Sequence, residues 1–220
     1  MKFLNILFLA FIALFFSACA ASKGYDYSNF LQTKPRSILV PMPTNETAEI
    51  KASAAVLAHS LAPLSEAGYY VFSPALVNDT FKHNGITEPS EIAQIPLSKL
   101  KQIFNADAVL YLNVSQYGTS YQLINSKTAV AVEAKLVDIN TANTLWERTV
   151  LAQQDSGGGS GGLLGILVSA VVNQIVNSVG DAGYDMSAQA MMMLYAPDCY
   201  DCLLRGQYSA KYMQDKQLTR

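Results

Sequence analysis

The chain has 220 residues, half of them hydrophobic and 15 % charged, which excludes a disordered or collagen-like polymer and suits one good-sized domain. Net charge is −2, and Lys2 is the only charge in the first 18 residues, so the chain without them is one unit more negative. No Lys/Arg cluster occurs, which argues against nucleic acid as a partner and excludes a polybasic membrane patch.

Met1-Lys2 gives a short positive start, and Phe3–Phe16 is apolar at every position except Asn5. The run is short for a spanning helix, which needs ~20 apolar residues, and has the length and flanks of a signal-peptide core. Phe16-Ser17-Ala18-Cys19 then resembles a bacterial lipobox, although Phe16 replaces the usual branched residue. The resemblance implies cleavage before Cys19, a diacylglyceryl thioether on its sulfur and acylation of the new amine. Two or more acyl chains anchor a protein stably. Ala20 is not the aspartate that retains lipoproteins at the inner membrane in enterobacteria, so the sorting rule implies the outer membrane. Ala20–Pro35 is polar and aperiodic and reads as a tether.

Ser37–Met42 is a short apolar run that predicts a buried first strand, ended by proline. Thr44–Thr47 resembles a helix start, with Glu46 and Glu49 near the positive end of the dipole. Ile50–Ala67 predicts a helix that stops at Gly68, with a kink or restart at Pro63. Tyr69–Phe72 reads as a second strand and Ala75–His83 as a short helix. Pro89–Phe104 has mostly helical apolar spacing, which Pro96 splits into two short helices. Ala108–Tyr117 and Thr119–Asn125 are expected as separate strands. Thr128–Ile139 alternates, with Val130, Val132, Ala134 and Leu136 on one face and Glu133 and Lys135 on the other. Asn140–Asn143 is a turn, and Thr144–Ala152 returns as the hairpin partner.

Ser156–Gly162 is a Gly/Ser linker by composition. A phosphate loop does not fit, because no Lys-Ser or Lys-Thr follows and no acid sits at the dinucleotide spacing, so no nucleotide is expected. Leu163–Val179 is apolar nearly all round, which means a helix buried in the core, paired with a partner or inserted in a membrane. The interface reading singles out Leu163, Leu164, Leu167 and Val171. Asp185–Tyr195 predicts a last helix with Met186, Ala190, Met193 and Leu194 on its apolar side.

Cys199 and Cys202 are spaced C-x-x-C. In an oxidising compartment the pair reads first as a disulfide pinning the tail. A reactive C-x-x-C is the alternative, but it wants its first thiol at a helix amino terminus, and Asp198 and Asp201 oppose thiolate formation. Free thiols stay open as a third reading. His59 and His83 have no partners at ligand spacing, so no metal is expected. No nucleophile elbow, metal spacing or phosphate loop occurs, so no catalytic residue and no cofactor are assigned. Glu133, Asp138 and Glu147 could meet on the hairpin, with Lys135 and Arg148 as cross-strand ion-pair partners. Trp146, the single tryptophan, reads as cross-sheet packing or an exposed anchor, and is an interface candidate.

Strands separated by helices up to Tyr70, then strands joined by turns after Ala108, predict an α/β (α+β) fold. The expectation is one domain with a mixed sheet of about five to six strands, parallel at one side and an antiparallel meander at the other, with helices packed on it. The organisation is a signal peptide over 1–18, a lipidated tether over 19–35, the α/β domain over 36–198 and a tail over 199–220. Within the domain, 156–162 is the linker and 163–195 the C-terminal helices.

Four stretches carry a family resemblance: Pro63–Val71, Ala75–Lys82, Ala108–Thr119, and Lys135–Asp138 followed by Leu145-Trp146-Glu147. Together with the Gly-rich stretch before Leu163, they resemble a bacterial lipoprotein family known from a neisserial surface-antigen candidate. The likeness runs from Pro35 to about Tyr212. It implies a domain like the amino-terminal domain of TolB and, more distantly, the periplasmic domain of the curli-secretion lipoprotein CsgG. It also implies a non-catalytic binding or scaffold role in an envelope assembly, with a second copy or a CsgG-like lipoprotein as partner. The Cys199–Cys202 pair is not part of the pattern. A periplasmic enzyme or redox protein using these two cysteines is the alternative.

Overall fold

The computed structural model describes residues 25–121, 126–155 and 181–219. The expected signal peptide, Cys19, the Gly/Ser stretch and the segment 163–179, expected as a helix, lie outside these residues. In chain order the elements are α1 (Ser28–Thr33), β1 (Ser37–Leu39), β2 (Thr44–Asn45), α2 (Ala52–Glu66), β3 (Tyr70–Val71), α3 (Pro74–His83), α4 (Pro89–Ile92), α5 (Leu97–Phe104), β4 (Ala108–Tyr121), β5 (Ser126–Asp138), β6 (Thr144–Asp155) and α6 (Ala182–Leu194). A short 3-10 turn follows at Lys216–Thr219.

The strands form one mixed sheet in the order β3-β1-β4-β5-β6, with β2 also paired to β4. β3, β1, β2 and β4 are parallel, and β4-β5-β6 is an antiparallel meander. This is the α/β single-domain mixed sheet the sequence predicts.

Several elements differ from expectation, each for a local reason. The first strand stops at Leu39 and resumes at Thr44–Asn45, where a helix start was expected; both pieces run along β4. Pro41 and Pro43 lack the N–H a ladder needs, so the strand is interrupted between them and resumes beyond. Helix α2 starts at Ala52, leaving Ile50 95 % exposed. It runs through Pro63 to Glu66 without a break. Pro63 lies one turn from the end, and Val56, Leu57, Ser60 and Leu64 bury the helix on either side of it. β4 is one strand, not two. It absorbs Gly118 at φ +106° and a register shift between Val114 and Gln116, a bulge that twists the strand without ending it.

The larger core lies between one face of the sheet and helices α2 and α6. Val56, Leu64, Leu110, Val114, Val132, Leu136 and Trp146 are fully buried there. A second core lies on the opposite face, under α3 to α5, with Leu39, Val77, Phe81, Leu100 and Val109. In α6 the buried residues are Gly183, Met186, Ser187, Ala190, Met191 and Leu194, whereas Met193, expected in the core, is exposed. The centre of the buried face is made of the small residues Gly183, Ser187 and Ala190, so apolar side chains alone misplace it. Close approach explains the choice: a Cβ on Gly183 would sit 2.5 Å from the Tyr117 ring.

The expected tether and the expected tail are both packed where they are described. Within the expected tether, α1 packs against β6 and buries Phe30, with Tyr27 buried beside it. Within the expected tail, Cys202, Leu203 and Leu204 are buried. Tyr27 Oη donates to the Cys202 carbonyl and Tyr69 Oη to the Leu204 carbonyl. Arg205 bridges Asp198 and Asp215 at 3.0 and 2.8 Å.

Candidate functional site

Alternation along β4, β5 and β6 sends Leu112, Ala134 and Trp146 into the larger core and their neighbours to the opposite face. Helices α3 to α5 cover only one end of that face. Antiparallel partners share a face, so the register aligns side chains in rows across the strands. Tyr111 lies opposite Lys135, and Lys135 opposite Glu147. Asn113 lies opposite Glu133, and Glu133 opposite Thr149. The two rows floor an open groove of about 690 Å3. Pro41, Met42, Pro89 and Ala93 wall one end; Tyr25, Tyr200 and Asp201 wall the other.

The groove walls are fixed by specific bonds. Asn113 Nδ2 donates to Glu46 at 2.8 Å, and its Oδ1 accepts from Thr44 Oγ1 at 2.8 Å, tying the floor to β2. Tyr25 Oη accepts from the Glu147 backbone N–H at 2.8 Å, capping the outer edge of β6. Arg148 bonds the Met193 and Leu194 carbonyls at the C-terminal end of α6, each at 3.0 Å, and pairs with Asp201 at 3.3 Å. By contrast, the side chains of Glu133, Lys135, Glu147 and Thr149 engage in no hydrogen bond or ion pair among the described residues. Burial raises the pKa of Tyr111, and of Tyr25 together with nearby carboxylates, so both phenols stay neutral donors.

The residues singled out from the sequence fall as follows. Cys19, Leu163, Leu164, Leu167 and Val171 lie outside the described residues. Trp146, an interface candidate, is fully buried in the chain's own core, and its Nε1 donates to the Asp201 carbonyl at 2.7 Å. An indole held that way presents nothing to a partner. Cys199 and Cys202 are joined in a disulfide with their Cα atoms 5.1 Å apart, and Cys202 is fully buried. The expected hairpin ion pairs are absent among the described residues. Lys135 and Glu147 are in register without closing a pair, Arg148 turns to Asp201, and Asp138 is buried. Asp138 accepts from the Asn140 and Thr141 N–H groups at 2.7 and 2.9 Å and from Thr33 Oγ1 at 2.7 Å. Burial pushes its pKa up, but these bonds outweigh burial and lower it. The sequence reading missed Tyr25, Tyr111, Asn113 and Thr149. The polar face of β5 was the available signal, since it already placed Glu133 and Lys135 together.

Among the described residues, no group of three or more His, Cys, Asp or Glu is placed to hold a metal. No described helix is long and apolar enough to cross a membrane.

The GNA1162-like lipoprotein family model matches residues 25–208. The lipoprotein NMB1124/NMB1162 of Neisseria meningitidis serogroup B is 46 % identical over 192 residues, covering 86 % of this chain and 89 % of that one. The crystal structure of lipoprotein GNA1162 from Neisseria meningitidis is similar with a TM-score of 0.55 at 50 % identity, covering 66 % of this chain and 100 % of that one.

Proposed function

Because the chain belongs to the GNA1162-like lipoprotein family, we propose that it is an outer-membrane lipoprotein acting as a non-catalytic binding or scaffold component of a cell-envelope assembly. Lipid on Cys19 holds the domain at the bilayer, and its work is done by contact. The observation that carries this reading is the pair of side-chain rows across β4 to β6. An open groove with four uncommitted polar side chains is a surface prepared for a ligand. A second contact is the apolar Leu163–Val179 segment, through Leu163, Leu164, Leu167 and Val171, toward another copy or a CsgG-like lipoprotein.

Two measurements test the reading in cells. Cys19→Ala should move the protein from the outer-membrane fraction. A photo-crosslinking residue at Thr149 should trap an envelope component that the same residue at Tyr208, 68 % exposed and outside the groove, does not. Equal trapping at both positions removes the groove from the function.

A further inference from the structure

The groove's chemistry narrows what it can hold. It runs across three strands, not along one. The main-chain N–H and C=O groups beneath it are consumed by the β4–β5 and β5–β6 ladders, so an extended peptide finds no backbone to pair with here. Recognition must come from side chains. The floor offers a carboxylate and an ammonium in one row and a carboxylate and a hydroxyl in the other. That mixture suits hydroxyl groups, which donate and accept at the same atom.

Spacing and charge point the same way. Neighbouring strands are about 4.8 Å apart and the two rows about 7 Å apart along the strands. The strand spacing is close to the advance of one pyranose ring in an extended chain, so successive rings can meet successive strands. Tyr111 on the floor and Tyr25 and Tyr200 at one end supply rings whose π faces attract the C–H edges of a sugar. Glu133 and Glu147 outnumber Lys135 on the floor, and Arg148 is committed to Asp201 and two carbonyls. Like charge therefore disfavours an acidic polymer.

We propose that the groove across β4, β5 and β6 binds an extended glycan chain of neutral or amino-substituted pyranose rings, held by Glu133, Lys135, Glu147 and Thr149 with Tyr111 as a stacking surface. The proposal names the ligand class of the binding role above and rests on it. The full lipoprotein in detergent is titrated with chitotetraose and with its fully deacetylated counterpart, followed by saturation-transfer NMR and calorimetry. At least one should bind. Glu133→Ala and Tyr111→Ala should each weaken it by roughly tenfold, with Tyr208→Ala unchanged and polygalacturonate unbound. Glu133 is exposed, so its variant folds; Glu147→Ala replaces Tyr111→Ala if the latter fails to melt cooperatively. Binding of neither oligosaccharide, binding that survives the groove substitutions, or preference for the polyanion overturns the proposal. A Thr149 crosslink in cells with no oligosaccharide bound overturns the ligand class alone and leaves the binding role standing.

Discussion

The indole Nε1 of Trp146 donates a 2.7 Å hydrogen bond to the carbonyl oxygen of Asp201, tying β6 to the disulfide turn. The indole is removed from bulk water, because Trp146 is fully buried, while the Asp201 carbonyl lies at the partly exposed end of the bond. Trp146→Phe keeps most of the ring and leaves the Asp201 carbonyl unpaired, so a loss of about 1–3 kcal/mol is expected. Trp146→Ala adds a cavity and should cost about 3–5 kcal/mol. Urea unfolding followed by circular dichroism reads both. A Phe variant as stable as the wild type would show that the bond contributes nothing.

The Cys199–Cys202 disulfide closes the turn that presents Asp201 to both Trp146 and Arg148. So small a loop constrains the unfolded chain by only about 2 kcal/mol. The paired change Cys199→Ala, Cys202→Ala should lower stability by that order, and a reductant should do the same to the wild type but nothing to the variant. Thermal melts with and without dithiothreitol decide it; equal sensitivity in both proteins removes the disulfide as the cause.

Elements with a strong local signal were legible in the sequence. Pro96 splits α4 from α5, the Asn140–Asn143 turn joins β5 to β6, and the alternation of β5 assigns Glu133 and Lys135 to one face. What escaped depends on partners far along the chain. Trp146 is buried by a turn 55 residues away, and Tyr27 by a carbonyl 175 residues away. No local period encodes either contact. The groove was half legible for the same reason. One strand's polar face can be read from its own alternation, but placing Asn113 and Thr149 beside Glu133 needs the register of two further pairings.

Asp138 predicts an acid-dependent loss of stability. Its folded pKa lies below the ordinary value because Thr33, Thr141 and Asn140 outweigh the effect of burial. A depressed folded pKa gives a contribution fully present above the unfolded value of about 3.9, and lost as pH falls through the folded value. Asp138→Asn should therefore destabilise by about 1–3 kcal/mol at pH 7. The gap from wild type should narrow below about pH 4. Urea midpoints across pH measure it, and a constant gap contradicts the assignment.

His59 acts on stability in a different pH window. Its ring lies 4.4 Å from that of Tyr184 between α2 and α6, and its buried Nε2 has no hydrogen-bond partner. Burial lowers its pKa, opposed by the Asp185 charge and by the accepting backbone carbonyl of Tyr184. The unfolded chain then takes up a proton first, near pH 6.5, so stability falls as pH drops from that value toward the folded one. His59→Gln should flatten the dependence between about pH 7 and 5. An unchanged slope in that variant would place its origin elsewhere.

Gly206 tests whether the last described segment belongs to the fold. Its N–H donates to the Ala67 carbonyl at 2.9 Å, and a Cβ there would lie 2.2 Å from the Gly68 carbonyl oxygen. Gly68 cannot yield easily: it sits at φ +93°, and its own position is pressed by the Ser209 backbone. Both sides of the contact are main chain, so no side-chain rotation relieves it. Gly206→Ala should cost about 1–3 kcal/mol, as overpacking does. It should also expose residues 199–219 to trypsin at Arg205 and Lys211 while Arg148, held in the β5–β6 ladder and on the Met193 and Leu194 carbonyls, stays protected. Time-resolved digestion with mass detection separates the outcomes. Cleavage at wild-type rates after Arg205 would mean that the segment is not clamped at this contact.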